Sequence, residues 1–301
     1  MKMILSTESC MLHKAVGDRR SIEIIAQAGF DAVDYTFTPY MEDDDPQWQG
    51  SSLPATARTL KQIASDNGVY FNQAHSPFRF QFEDEYHPDL ERIVALQARC
   101  LEACALMGIP HTIVHPLHHL PYKPNHDHVW AMNLEYFHML EPYAKEFGVK
   151  VCLENMFGRD ARRGGTVPDM LGNPEEYAHF FDELNNPDCF TCCLDTGHCG
   201  LTDEDAADFT YKLGKRIHAL HLNDNRYRND DHLIPYQGSI DWEKVIKALA
   251  DVGYDGDFTF EALHLYKGFD ESFLPTVARY LHDVGRYMIG KFDQYRATAC
   301  S

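Results

Sequence analysis

Residues 143–155 read YAKEFGVKVCLEN, and the order of events in them repeats along the chain. A stretch of helical period over Val129–Phe147 stops at Gly148 and passes straight into a short apolar segment, Lys150–Glu154, that ends on a carboxylate. Glycine suits the left-handed position that ends a helix. Outward from this stretch, Gly108 closes Leu90–Met107 before Thr112–His115, and Gly253 closes Trp242–Val252 before Phe258–Glu261. The other strand-like segments are Met3–Ser6, Ala32–Tyr35, Val69–Ala74, Phe190–Asp195 and Ile217–Leu222. The other helix-like stretches are Ser21–Ala28, Pro54–Asn67, Pro174–Leu184, Ala206–Leu213 and Phe273–Met288, and Asp241 is placed to cap the helix at Trp242. Eight strands alternating with eight helices predict an α/β protein, a single (β/α)8 barrel, with an open doubly wound sheet as the alternative. No Pro/Gly/Ser-rich linker interrupts the pattern, so residues 1–301 are expected to form one domain.

The chain carries 46 acidic residues against 27 Lys plus Arg, a formal charge of −19. That balance argues against a partner gripped through phosphates, and the acidic run Met41–Asp45 and residues Glu83–Glu85 reinforce it. With 44% hydrophobic and 24% charged residues the composition is that of an ordinary globular protein. No apolar run approaches a membrane span, and the opening MKMILSTESCML is too short and polar for a signal peptide, so a cytoplasmic protein is expected. The nine cysteines, an odd number largely inside apolar runs, read as buried free thiols in a reducing compartment. Cys189 and Cys192 form a C-x-x-C pair that leads into a strand rather than opening a helix, so redox chemistry is not expected of them.

The last six strands each deliver one metal-competent side chain to the same rim: His75, His115, Glu154, Asp195, His221 and Glu261. Asp195-Thr-Gly-His198 and Asp230-Asp231-His232 add further candidates. A lone strand-end histidine usually packs or caps, and a strand-end glutamate can pair with an arginine, but six in succession point to a metal centre. Imidazole plus carboxylate suits Zn2+, Mn2+, Fe2+ or Co2+. Glu154, Asp195, His221 and Glu261 would make a four-ligand site with positions open to substrate. The remaining histidines, His264 among them, read as surface or packing residues, with His118 and His119 as exceptions in a rim loop. Glu154 and Glu261, on strands three steps apart in a ring of eight, can act as acid and base across the mouth. Arg159, Arg162, Arg163, Arg226 and Arg228 are candidates for a phosphate or carboxylate, and Phe78, Phe157 and Tyr227 are among the aromatics able to close the pocket.

The segments LENMFG (153–158), CLDTGH (193–198), LHLNDN (220–225), the D-x-H at 230–232 and QGSIDW (237–242) resemble the xylose isomerase-like TIM-barrel superfamily. The resemblance spans about three-quarters of the chain. Its ketose 3-epimerases imply one divalent metal on Glu154, Asp195, His221 and Glu261, proton exchange by the two glutamates, and substrate contacts from His198 and Arg226. His75 and His115 are expected beside them as substrate contacts or further ligands. Endonuclease IV, of the same superfamily, implies instead three zinc ions on nine ligands, adding His75, His115, His198, Asp230 and His232. The expectation is a metal-dependent sugar or sugar-phosphate isomerase or epimerase using Mn2+, Zn2+ or Co2+, with one ion or up to three. A trinuclear zinc phosphodiesterase, an inosose dehydratase, a hydroxypyruvate isomerase or a non-catalytic metal-binding barrel are the alternatives. Neither nucleic acid nor membrane is expected as a partner, and a homodimer is the base-rate oligomer.

Overall fold

A computed structural model describes residues 3–37, 41, 45–162 and 164–299. The strands are β1 (Leu5–Glu8), β2 (Ala32–Thr36), β3 (Tyr70–His75), β4 (His111–Val114), β5 (Lys150–Glu154), β6 (Phe157–Arg159), β7 (Thr166–Pro168), β8 (Phe190–Asp195), β9 (Ile217–His221) and β10 (Phe258–Phe260). The helices are α1 (Cys10–Ala28), α2 (Ser52–Asp66), α3 (Leu90–Met107), α4 (Tyr122–Phe147), α5 (Pro174–Leu184), α6 (Thr196–Leu201), α7 (Ala206–Leu213), α8 (Trp242–Asp251) and α9 (Leu274–Ala299). Eight strands form one parallel sheet in the order β10-β1-β2-β3-β4-β5-β8-β9, and β6 and β7 form a separate antiparallel hairpin. The ring closes where the Leu222 N–H donates to the Thr259 carbonyl (2.9 Å) and the Glu261 N–H donates to the Leu222 carbonyl (3.2 Å). This is the expected (β/α)8 barrel, and its parallel strands bring all eight C-terminal ends to one rim.

Gly108 (φ 83°) and Gly148 (φ 64°) are the left-handed stops read from the sequence. The differences lie at the rim. The first strand runs Leu5–Glu8, two residues beyond the expected segment, and α1 reaches back to Cys10 because Gly17 (φ 77°, ψ 170°) breaks its helical period. The short helix α6 has Asp195 as its N-cap, whose Oδ1 accepts the His198 N–H at 2.7 Å. The irregular stretch expected over 157–173 contains the β6–β7 hairpin.

The main apolar core lies between the sheet and the helices, while the barrel interior is divided. On the β4, β5, β8 and β9 side Ile113, Cys152, Cys193 and Ala219 form a small apolar cluster. Opposite them a polar chain climbs from Ser6 Oγ to Thr259 Oγ1 (2.7 Å), to Gln73 Oε1 (3.2 Å), and from Gln73 Nε2 to Asp34 Oδ2 (2.8 Å). All four residues are buried, so each link satisfies a group that would otherwise be desolvated without a partner. The eight described cysteines are all buried and free, as expected; Cys300 lies outside the described residues. Among the described residues no helix is long and apolar enough to cross a membrane.

Asp224 ties the loop after β9 to α8. Its Oδ1 accepts the N–H groups of Asn225 (2.9 Å), Ser239 (3.0 Å) and Ile240 (3.2 Å), and its Oδ2 accepts Gly238 N–H and Trp242 Nε1–H (both 2.9 Å). A Cβ on Gly238 would lie 2.1 Å from Asp224 Oδ1, so the close approach requires glycine. An Asp224→Ala variant orphans several of these donors at about 1–3 kcal/mol each. The expected loss is about 3 kcal/mol or more of unfolding free energy in a urea titration, with earlier proteolysis in the 226–240 loop.

Candidate metal centre

Each rim carboxylate or imidazole is delivered by the last residue of a strand or the one after it. Glu154 ends β5 and is 1% exposed, with Oε1 2.5 Å from His221 Nδ1 and Oε2 2.7 Å from His115 Nε2. His221 is fully buried, its Nδ1 also 3.6 Å from Glu261 Oε2 and its Nε2 3.3 Å from Asp34 Oδ2. Asp195 uses one oxygen as the α6 cap and accepts Asn223 Nδ2 on the other at 2.8 Å. Glu154, Asp195, His221 and Glu261 offer one ligand atom each, all within 4.8 Å of one another. The predicted four-ligand set is thus brought together.

The additional candidates flank it. His75 Nε2 lies 3.0 Å from His115 Nε2 and 3.8 Å from Glu154 Oε2. His232 Nε2 lies 2.8 Å from Asp230 Oδ2, and His198 Nε2 lies 3.8 Å from the same oxygen. Three rings share a device: Nδ1–H donates to a backbone carbonyl, His75 to Ser76 (2.9 Å), His198 to Asn155 (2.8 Å) and His232 to Glu261 (2.8 Å). A carbonyl can only accept, so each ring turns Nε2 toward the mouth, the orientation that outer hydrogen bonds impose on metal-binding imidazoles. Cys193 Sγ also falls near Glu154 and His221, but burial raises its thiol well above the usual range, which leaves it neutral and a poor ligand.

The donor set fits a cation. Glu261 Oε2 and Asp230 Oδ1 are buried with no hydrogen-bond partner. Burial, with Asp195 and Glu154 nearby, drives the Glu261 carboxyl well above its ordinary range. Burial disfavours charge on His198 and His232, but Asp195 and Asp230 outweigh it and push His198 up to about 10 and His232 in the same direction. His115, by contrast, is pushed down to about 3 by burial. The surrounding carboxylates thus favour the protonated forms of His198, His232 and Glu261, where they call for positive charge.

Above the floor opens a cavity of about 910 Å3, lined by His75, His115, His198, Asp230, His232 and Glu261 and walled by Phe78, Phe157 and His118. Phe78 stacks on His115 at 4.3 Å, and the Phe157 ring is 5.0 Å from that of His198. Among the described residues, Arg159 is the one of the arginines weighed for an anion that lines it. Arg226, expected to touch substrate, is turned away: its Nη1 is 4.0 Å from Asp231 and its Nη2 donates to the Gln237 carbonyl, because the loop after β9 folds outward around Asp224. Tyr227 likewise faces away, donating to Ser239 O. Arg163 and acidic residues 42–44 lie outside the described residues. His264, read as a packing residue, lines the cavity. Sequence reasoning missed Glu8 and Asp34. Glu8 carries the same signal as Glu154, a carboxylate closing an apolar strand, but the expected boundary stopped at Ser6.

The profile of the xylose isomerase-like TIM barrel family matches residues 22–273. The chain belongs to that family. It is 24% identical over 261 residues to the uncharacterized protein y4fM of Sinorhizobium fredii, covering 81% of each chain. It is 22% identical over 291 residues to the D-psicose 3-epimerase of Ruminiclostridium cellulolyticum, covering 89% and 91%. In three dimensions it resembles D-psicose 3-epimerase with D-tagatose from Clostridium cellulolyticum H10 (TM-score 0.73, 18% identity, 95% and 99% covered). It also resembles 3-keto-D-glucoside 4-epimerase from E. coli (TM-score 0.69, 16% identity, 94% and 100% covered). At such identities the structural likeness carries the fold of the family.

Because a cation must displace protons here, adding Mn2+ or Zn2+ in weak buffer is expected to release protons, and apparent metal affinity should rise with pH across the neutral range. Calorimetry in buffers of different ionisation enthalpy measures both, and pH-independent binding without proton release would contradict the assignment. Asp34→Asn, which disturbs the carboxylate facing His221 Nε2, should weaken binding by about 10–100-fold.

Proposed function

We propose that the chain is a metal-dependent isomerase or epimerase that moves a proton at the carbon beside a sugar carbonyl. The observation that carries this reading is the placement of Glu154 and Glu261 on β5 and after β10, with Asp195 and His221 between them and one ligand atom from each of the four within 4.8 Å of the others. The names of its relatives support it: D-psicose 3-epimerase, fructoselysine 3-epimerase and inosose isomerase. A divalent ion on those four residues, Mn2+, Co2+ or Zn2+, would supply Lewis-acid polarisation of a carbonyl and its neighbouring hydroxyl.

The chain's own residues do the rest. Glu154 is kept ionised: burial opposes its charge, but His221 and His115 hold its carboxyl well below the usual range. Glu261, driven the other way, can hold a proton at Oε2. Two carboxyls with opposed proton affinities, Glu261 lining the cavity and Glu154 with a ligand atom within 4.8 Å of it, make an acid–base pair. Abstraction by one and return by the other on the opposite face inverts the carbon. His198 and His75, with Nδ1 anchored, present Nε2 to substrate oxygens, and Phe78 and Phe157 shield the reacting end from water. The buried unpaired thiols fit a reducing compartment such as the cytoplasm.

Incubation of metal-loaded protein with a panel of ketoses in D2O should introduce deuterium next to the carbonyl, read by NMR. Glu154→Gln or Glu261→Gln should lower exchange by about 100-fold or more. Full exchange in either variant, or none with any sugar, would remove the reading.

The orientation of His75, His198 and His232 favours a second reading, a three-metal hydrolase. Elemental analysis separates the two, with one ion per chain expected. Three zinc ions together with cleavage of abasic-site DNA would replace the first reading, against the charge of −19.

A further inference from the structure

One wall of the cavity has no part in the metal chemistry. It is built by Glu8 at the end of β1, Cys10, Met11 and Lys14 on the first turns of α1, Thr36 at the end of β2, and Arg79 after β3. Glu8 is 4% exposed, lines the cavity, and its Oε2 has no hydrogen-bond partner. A buried carboxyl oxygen left without a partner is costly unless a ligand satisfies it. Lys14 and Arg79 both line this cavity, and the Arg79 guanidinium sits 5.8 Å over the Phe78 ring that stacks on His115. Among the described residues neither makes an ion pair with a carboxylate. In a chain of net charge −19, where Arg20, Lys145, Lys212, Arg216, Lys247 and Arg286 find acidic partners, these two cavity-wall cations have no carboxylate partner among the described residues, and Lys14 bonds only the Cys10 thiol. Like charges brought together without a counter-ion repel, and an anionic ligand relieves that repulsion.

We propose that this wall is a distal substrate subsite in which Lys14 and Arg79 bind an anionic substituent and Glu8 hydrogen-bonds a hydroxyl between it and the reacting carbon, so the substrate is a sugar bearing a phosphate or carboxylate. Burial and Asp34 push the Glu8 carboxyl up to about 8, so at neutral pH it can donate to that hydroxyl without repelling the anion. The cavity, at about 910 Å3, lies near the upper end of the range of roughly 300–1,000 Å3 that holds drug-sized ligands, which leaves room beyond a bare ketose. Arg226, the residue that the sequence had nominated for substrate, is replaced in this role by cations that follow β1 and β3.

The subsite rests on the isomerase reading for which end of the substrate faces the floor, and its test is a binding measurement that does not need turnover. Metal-loaded protein is titrated calorimetrically with D-fructose, D-fructose 6-phosphate and D-fructuronate. One or both anionic ketoses should bind at least about tenfold more tightly than fructose, equivalent to about 1.4 kcal/mol. Phosphate favoured over uronate, or the reverse, identifies the substituent. A Lys14→Gln/Arg79→Gln variant, checked for folding by circular dichroism and thermal melting, should abolish the preference, which also excludes direct capture of the anion by the metal. Glu8→Leu should weaken binding of the preferred ketose, and Glu8→Gln, able to donate the same bond, should rescue it. Equal affinity for neutral and anionic ketoses, a preference that survives the double variant, or no binding of any of the three overturns the subsite. Charge-selective binding without deuterium exchange removes the isomerase reading alone, and exchange with neutral ketoses as fast as with anionic ones removes the subsite alone.

Discussion

The contact on which the mouth of this barrel depends is that of Glu154 with two imidazoles, His221 Nδ1 at 2.5 Å and His115 Nε2 at 2.7 Å, at a position 1% exposed. A carboxylate so far from water persists only when positive charge or strong donors surround it. That need explains the rest of the floor. His221 is steadied from behind by Asp34, which stands at the top of the Ser6–Thr259–Gln73 chain, so half of the barrel interior is polar where a purely structural barrel would be filled with branched aliphatics. The apolar half, built from Ile113, Cys152, Cys193 and Ala219, lies under the strands that bring Glu154, Asp195 and His221.

Around the floor, loops are fastened by asparagines and a buried aspartate rather than by apolar packing. Asn155 accepts the Asp195 N–H and donates to its carbonyl (both 2.9 Å), and Asn223 holds Asp195 Oδ2. A Cβ on Gly197 would lie 1.9 Å from Asn223 Oδ1, so the glycine of the DTGH segment is required by the asparagine of LHLNDN. Asp224 gathers four donors from the QGSIDW stretch and a fifth from Asn225. Segments far apart in the chain are therefore parts of one hydrogen-bonded collar that sets the ligand directions. The pocket built this way is rigid at its base and charged at its rim, the arrangement that lets binding energy at a remote group orient a reacting one.

Much of this was legible before any coordinates. Gly148 and Gly108 end helices because each must take a positive φ, and the carboxylates of Glu154 and Glu261 stand out because apolar strands rarely end on an unpaired charge. These signals are local, and they decide the alternation, the barrel and the four-ligand set. Boundaries were harder. Gly17 splits the period of α1 and hid its first turns, which is why Cys10, Lys14 and the true end of β1 at Glu8 went unread.

What the sequence determined by itself is the order of strands and helices and which strand ends carry metal-competent groups, because period, punctuation and side-chain chemistry are properties of neighbouring residues. Only the tertiary structure decided which way those groups point and what else joins them. Arg226 turns outward because Asp224 folds its loop away, and Asp34 meets His221 although 187 positions separate them (221 − 34 = 187). Lys14 and Arg79 share a wall because α1 and the loop after β3 both cover the rim beside β1 and β2. Those relations come from closing the sheet into a ring, a long-range event that no local pattern encodes.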